Sequence, residues 1–466
     1  MIHLSQTFRP LLLLTLLLCA VSSAPAAEPR TNVVFILVDD LRWNALGCMG
    51  DKIVKTPNID RLAKEGVLFN NMFVTTSICA ISRASILTGQ WARRHGIDDF
   101  GTGISAEAWK DTYPAQFRAA GWRTGFVGKY GVGNEKVIAA KAPDFDFWRG
   151  EPRQAGRFFI EPDDPTRTHK TAKFGNAALD FLDGCDGKQP FSLSLSFNAV
   201  HARDHEEREY EPDPRDDGLY DGIEIPLPKL ATDAAFQRLP ASVQQSEGRK
   251  RWTWRFDDPQ KAQRILHDYY SLITGMDREV GRILDTLEKK GLTKNTVVIF
   301  SGDNGYALAD RGMADKWYPY DEDLRVPLII RDPRLPAERR GAKVDAFALN
   351  VDLAATMLDM AGLPVPQAMQ GRSLQPLLSG DVPSNWRTEF FYEHHAESPT
   401  RIPPSEAVRT QRWKFIRWME PNPVTEELYD LQADPLEEHN LIADPAHAAT
   451  ANELRAKREK YGRELR

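Results

Sequence analysis

Three apolar runs in this chain end in side chains that can do chemistry. Asn32-Val33-Val34-Phe35-Ile36-Leu37-Val38 leads into Asp39-Asp40. Thr296-Val297-Val298-Ile299-Phe300-Ser301 leads into Gly302-Asp303-Asn304-Gly305, and Phe191 to Phe197 leads into Asn198-Ala199-Val200-His201. Asp39, Asp40, Asp303 and Asn304 are oxygen donors of the kind that a hard cation such as Ca²⁺ gathers, about six or more at a time. Asp, Asn and Gly also make turns after strands. Two acidic ends, with a histidine after a third run, argue for a site. A separate segment, Cys79-Ala80-Ile81-Ser82-Arg83-Ala84-Ser85-Ile86-Leu87-Thr88-Gly89, sets a cysteine four positions before an arginine. Taken as bare sequence, it also reads as a buried cysteine followed by a helix-capping Ser82.

These residues need a scaffold that brings strand ends together. Continuous apolar runs suit strands buried on both faces of a mostly parallel sheet. Helical spacing over residues 265–290 stops at Gly291, and over 351–361 at Gly362. The alternation predicts an α/β fold: a large, mostly parallel sheet flanked by helices. In such sheets ligands bind beyond the carboxyl ends of the strands, where all three polar ends fall. Residues 203–258, rich in Asp, Pro, Glu and Arg, read as a partly irregular insertion near the site. Within it, residues 249–255 read as the start of a solvated amphipathic helix, or as a contact for an anionic sugar chain. After Gly371 the pattern changes, and residues 389–395, 407–418 and 427–431 read as strands of a small antiparallel sheet. The expected organisation is a catalytic domain over 28–382 and a C-terminal α+β subdomain over 383–466, with a boundary near 380–384.

The Cys79 segment resembles the type I sulfatase signature, C-x-[P/A]-S-R-x-x-x-L-T-G, with Ile81 at the position usually held by Pro or Ala. Further matches follow in the family's order. Gly128-Lys129-Tyr130 resembles its G-K-[WY] segment, and His201 its histidine after the third strand. Lys316 precedes Tyr320-Asp321-Glu322-Asp323-Leu324-Arg325-Val326-Pro327, which is similar to Y-E-E-x-x-R-V-P. Asp352 resembles the aspartate of V-D-[LI]-x-P-T, here without the proline.

The resemblance implies a formylglycine-dependent sulfatase of the alkaline phosphatase superfamily, close to bacterial glycan exo-sulfatases. A formylglycine-generating or sulfatase-maturing enzyme would convert Cys79 to an aldehyde, whose hydrate attacks sulfur and gives a sulfated enzyme intermediate. Asp39, Asp40, Asp303 and Asn304 would hold Ca²⁺, while Arg83, Lys129 and Lys316 neutralise the sulfate. His201 or Lys316 would protonate the leaving alkoxide. Many family members carry His two residues after the lysine; here it is Gly131, and His95 is a candidate replacement base or a substrate contact. His394 and His395 are candidate substrate contacts, and the expected substrate is a sulfated sugar or polysaccharide. A phosphodiester or phosphonate monoester hydrolase of the same superfamily is an alternative. A further one is a non-catalytic binder of sulfated glycans, if Ile81 blocks maturation.

Composition is compatible with this. The 466 residues carry a formal net charge of −6, with 27% charged and 42% hydrophobic residues, and nothing marks a nucleic-acid binder. His3 and Arg9, a leucine-rich run and Ala24-Pro25-Ala26 read as a signal peptide over 1–27. That predicts an exported protein, periplasmic or extracellular, with no stable membrane insertion. Four cysteines make a disulfide framework unnecessary. Cys19 leaves with the signal peptide, and Cys48 and Cys185 are free or paired.

Overall fold

The computed structural model describes residues 30–151, 158–159, 168–395, 402–419 and 424–466. The signal-peptide reading over 1–27 lies outside them.

Among the described residues the strands are β1 (Asn32–Val38), β2 (Val67–Phe73), β3 (Arg123–Lys129), β4 (Phe147–Glu151), β5 (Phe191–Phe197) and β6 (Thr296–Gly302). A two-residue hairpin follows, β7 (Ala307–Leu308) with β8 (Ala314–Asp315), and then β9 (Arg325–Arg331), β10 (Ala342–Val344) and β11 (Ala348–Leu349). The large sheet has nine strands in the order β10-β2-β9-β6-β1-β5-β3-β4, with β11 also on β2. β9 alone runs antiparallel to its neighbours, so the sheet is mostly parallel, as expected.

The three apolar runs are the central strands β5, β1 and β6, side by side and parallel. The continuity of β1 has a physical cause. Val34, Ile36 and Val38 join one apolar cluster with the helices Lys170–Asp183 and Pro259–Lys289. Val33, Phe35 and Leu37 join a second cluster, on the other face, with Ile86, Tyr113 and Met357. Both faces are buried, so both sets must be apolar. The helix expected over 265–290 starts earlier, at Pro259, because Asp258 caps it through Lys261 N. It closes before Gly291, whose φ of +69° suits glycine.

The small antiparallel sheet is present as β12 (Glu389–His394), β13 (Ser405–Thr410), β14 (Trp413–Trp418) and β15 (Thr425–Asp430). The segment read as one strand over 407–418 is two, β13 and β14. Thr410 Oγ1 accepts from the backbone of Arg412 and Trp413 and turns the chain there. This sheet packs through Phe390, Tyr392 and Trp418 into a third apolar cluster that includes Ile78, Ala80, Ile81 and Trp91. Asp352 adds a buried tie, pairing with Arg387 and accepting from the backbone of Leu349 and Arg372. The described residues contain no helix long and apolar enough to cross a membrane. Cys48, Cys79 and Cys185 are all free.

Candidate active site

Parallel strands put their carboxyl ends along one edge, and the register here makes three polar ends level, with the end of β3 beside them. Val38 of β1 is opposite both Phe197 of β5 and Gly302 of β6, and Gly128 of β3 is opposite Ser196 of β5. One residue further on stand Asp39, Asn198 and Asp303, while Lys129, the last residue of β3, is level with Phe197 and Val38. Asp40 takes a left-handed φ of 57°, which turns the chain directly after Asp39. Its carbonyl accepts from the Tyr269 hydroxyl at 2.9 Å.

The helix Cys79–Thr88 supplies the other half. Cys79 is its first residue, and Arg83, one turn on, lies on the same side. Gly89, with φ 66°, ends the helix in a left-handed cap, which explains the glycine that closes the segment. Ser82 does not cap it; its hydroxyl accepts from Asn350 Nδ2 at 2.9 Å. All ten helical residues are buried.

The two halves meet in a tight set of opposite charges. Cys79 Sγ lies 3.3 Å from Asp39 Oδ1 and 3.9 Å from Asp40 Oδ1. Lys129 Nζ donates to Asp39 Oδ2 at 2.5 Å, and Lys316 Nζ to both oxygens of Asp40 at 2.6 Å. Arg83 Nε donates to Asp303 Oδ2 at 2.8 Å, and Arg83 also donates to Lys129 O at 2.6 Å and to Ser196 Oγ. His201 Nε2 stands 3.6 Å from Asp40 Oδ2. Its Nδ1 lies 2.6 Å from Ala202 O. A carbonyl only accepts, so Nδ1 carries the proton and Nε2 presents a lone pair to the cluster.

The electrostatics follow from burial. Burial raises Asp39, but the Lys129 and Arg83 charges outweigh it and hold the carboxyl well below its usual range. Burial, with the Asp39 charge, pushes Asp303 up to about 7. Burial and the Lys316 charge lower His201 and keep it neutral. Asp40 holds Lys316 protonated against the cost of burial.

The residues present fit a hard cation. Asn304 donates through Nδ2 to Asp40 Oδ1 at 2.8 Å, while its Oδ1 is buried with no hydrogen-bond partner among the described residues. An orphaned amide oxygen beside three crowded carboxylates is a donor set for such an ion.

Lys316 is positioned by residues that sequence reading missed. It follows β8 between Asp315 (φ 84°) and Trp317 (φ 99°), both left-handed. Asp315 is held by Arg251 and Arg255 from the helix Glu247–Arg255. Arg255 is fully buried and also pairs with Glu209 and Asp204. This corrects the solvated reading of 249–255: the helix exists, but Arg251 and Arg255 point inward. Basic residues alone do not reveal an inward face when the acids that meet it lie about 50 or more positions away.

The remaining sequence candidates lie elsewhere. His95 accepts from Ile97 N at Nδ1 and donates from Nε2 to Ser85 Oγ, both at 3.1 Å. Burial lowers it to about 3, so it is neutral with both nitrogens engaged. His394 is buried, and neither of its ring nitrogens has a hydrogen-bond partner among the described residues. His395 bonds Glu406 at 3.1 Å and lines a cleft of about 320 Å³ with Thr76, Ile81, Arg93 and Arg466. None of Asp39, Asp40, Cys79, Lys129, His201 and Lys316 lines that cleft. Although His205 follows His201 by four residues, it is exposed against Trp254, off the cluster.

Gly131, at the position of the family's second histidine, has φ 79°, and a Cβ there would come within 2.5 Å of Arg83 Cδ. Restoring a side chain therefore displaces Arg83. Gly131→Ala and Gly131→His are both expected to lower kcat/KM by about 10-fold or more, since removing one charge-stabilising donor costs about 10²- to 10³-fold. Steady-state kinetics check this; a gain in rate for Gly131→His would show that the site tolerates the missing base.

Comparison with known proteins agrees with this geometry. The sulfatase family profile matches residues 31–363, and the profile "N-sulphoglucosamine sulphohydrolase, C-terminal" matches 309–464. An N-acetylglucosamine-6-O-sulfatase of Bacteroides thetaiotaomicron is 28% identical, covering 95% of this chain and 89% of its own. An arylsulfatase of Clostridium perfringens is 27% identical, covering 91% and 93%. A structure described as in complex with its substrate D-glucosamine-2-N,6-O-disulfate superposes with a TM-score of 0.78 at 26% identity, over 94% of this chain and 98% of that one. A phosphonate monoester hydrolase of Agrobacterium radiobacter shares the fold at 22% identity, with a TM-score of 0.76 over 94% and 96%. With the family profile spanning most of the chain and the sulfatase motif residues gathered at one sheet edge, this protein belongs to the sulfatase family of the alkaline phosphatase superfamily and is a sulfuric ester hydrolase.

Proposed function

We propose that this enzyme removes sulfate from a sulfated sugar or polysaccharide, using residue 79 as the nucleophile beside a Ca²⁺ site. The observation that carries the reading is the convergence of Cys79, Arg83, Lys129, His201 and Lys316 on Asp39, Asp40, Asp303 and Asn304. The carbohydrate substrate is supported by relatives named for N-acetylglucosamine-6-O-sulfate and glucosamine disulfate. Export to the periplasm or the cell exterior is supported by the basic, leucine-rich and small-residue order of residues 1–27.

Converted by a maturing enzyme, residue 79 would supply an aldehyde hydrate, a nucleophile toward sulfur whose second hydroxyl allows sulfate to be released. Asp39, Asp40, Asp303 and Asn304 would hold the Ca²⁺, which supplies charge neutralisation at the sulfate oxygens. Arg83 and Lys129 add fixed positive charge in a buried site, where it acts strongly. Asp303 and Ser196 hold the Arg83 guanidinium, so its position does not depend on substrate. His201, neutral with the Nε2 lone pair inward, would take up at Nε2 the proton that a hydroxyl of residue 79 gives up. Lys316, held charged by Asp40, carries the proton that a sugar alkoxide needs on leaving.

This division predicts a contrast between substrates. Lys316→Ala should lower sugar-sulfate hydrolysis by about 10²- to 10⁴-fold. It should affect nitrophenyl sulfate far less, because nitrophenolate leaves without a proton. Arg83→Ala should harm both equally. Parallel kinetics on the two substrates test the assignment, and equal losses for Lys316→Ala would leave it a sulfate binder. Faster turnover of a phosphodiester or phosphonate monoester than of either sulfate would move the reading to the related hydrolases.

A further inference from the structure

The unconverted site has a feature that the hard-cation reading does not use. The ligand atoms of Asp39, Asp40, Cys79 and His201 all lie within 4.8 Å of one another. Sγ is 3.3 Å from Asp39 Oδ1 and 3.9 Å from Asp40 Oδ1, and His201 Nε2 is 3.6 Å from Asp40 Oδ2. A tetrahedral ion with bonds of about 2.0–2.3 Å places its ligands about 3.3–3.8 Å apart. The imidazole is also prepared as a ligand: Nδ1–H is bonded to the Ala202 carbonyl, which fixes the tautomer and aims the Nε2 lone pair at the cluster.

We infer that residue 79 decides which metal this site takes. As a thiol, Cys79 completes a one-sulfur, one-nitrogen, two-carboxylate site for Zn²⁺ or another borderline-soft divalent ion. As an aldehyde hydrate it offers only hard oxygen, and the site reverts to Ca²⁺; this second half rests on the proposed conversion. A thiolate selects Zn²⁺, whereas Ca²⁺ takes oxygen donors. The binding step balances as Cys–SH + Zn²⁺ → Cys–S–Zn⁺ + H⁺, with the proton released to buffer.

Two side chains must accommodate the ion, and both have somewhere to go. Lys129 bonds Asp39 through Oδ2, which leaves Oδ1, the oxygen facing Cys79, for the metal. Lys316 must leave Asp40. Asp315 Oδ1 lies 3.4 Å from its ammonium, is buried, and has no hydrogen-bond partner among the described residues. Arg251 and Arg255 fix the Asp315 carboxylate in place, so it can receive the lysine.

The test uses the full chain made in a host without the maturing activity, with intact mass showing the thiol. Co²⁺ serves as the spectroscopic probe and Zn²⁺ and Ca²⁺ as titrants in calorimetry. The Cys79 chain should show a sulfur-to-cobalt charge-transfer band that Cys79→Ser lacks. Cys79→Ser should weaken Zn²⁺ binding by about 100-fold, in line with loss of one ligand from a metal site. Ca²⁺ binding should change by less than about threefold, because serine keeps an oxygen there. Circular dichroism confirms that both chains are folded. No charge-transfer band, or equal Zn²⁺ affinity in the two chains, overturns the inference while leaving the Ca²⁺ site intact. Failure of either chain to bind Ca²⁺ overturns the acidic-cluster reading itself.

Discussion

Cys79→Ala should eliminate turnover, while Cys48→Ala should leave it close to that of the unaltered enzyme. Loss of a nucleophile costs on the order of 10⁵-fold or more where the remaining groups act only through it. Cys79 lies at the start of a buried helix and faces Asp39 and Asp40. Cys48 lies apart from the cluster, next to Asp60, and burial together with Asp60 pushes it up to about 12. Cys48 is thus an unreactive thiol whose removal costs only packing. Intact mass adds a readout independent of rate: conversion of Cys79 to the aldehyde loses about 18 Da, a covalent change of the kind that alters the argument at a site. Ile81, buried against apolar neighbours, fits its place in the fold, so any effect it has falls on maturation rather than packing. An active preparation whose Cys79 is wholly unconverted would falsify the proposed nucleophile.

Asp40→Asn and Asp303→Asn should each lower activity on the order of 10³-fold, the several kcal/mol that a metal contributes to charge stabilisation. Prolonged dialysis against EDTA should do the same to the unaltered protein, with recovery on adding Ca²⁺. Asparagine is the informative replacement here. Arg83 is buried against Asp303, and Lys316 against Asp40. Either replacement removes the counter-charge, but asparagine keeps an oxygen that accepts from the cation and fills the space, whereas alanine strands the cation outright, which typically costs about 3–5 kcal/mol of stability and confuses folding with catalysis. Thermal melts with and without Ca²⁺ separate the two: a metal ligand changes the Ca²⁺-dependent shift in Tm, whereas a purely structural carboxylate lowers Tm in both conditions. Full activity after exhaustive chelation would remove the metal from the proposal.

Much of this architecture was legible in local patterns. β1 and β6 announced themselves as near-continuous apolar runs, as strands buried on both faces do; β5 alternates serine with Phe and Leu although all seven of its residues are buried, and all three polar ends had to fall on one edge once the strands were parallel. The common side of Cys79 and Arg83 was not legible: Ser82 read as a helix cap, whereas the helix begins at Cys79 and carries both residues, about one turn apart. What stayed hidden depended on partners remote in the chain. The inward face of Arg251 and Arg255 is defined by Asp315 and Glu209, and no period within residues 249–255 encodes it. The split of residues 407–418 into β13 and β14 rested on one threonine side chain, Thr410, bonding the backbone beyond it. His95 looked available as a base because a lone histidine carries no sign of its partners; Ser85 and Ile97 occupy both its nitrogens.

By itself, then, the chain determined the central strands, the helices that end at Gly291 and Gly362, and the residue types that meet at the sheet edge. These follow from periodicity and from side-chain chemistry, which are local. Only the tertiary structure decided which charges are paired, which histidine nitrogen faces the cluster, and that a glycine at 131 leaves room for Arg83. Those are matters of distance and burial between segments up to 276 positions apart, as for Asp40 and Lys316, and a buried charge takes its behaviour from whichever neighbours packing brings within about 4 Å.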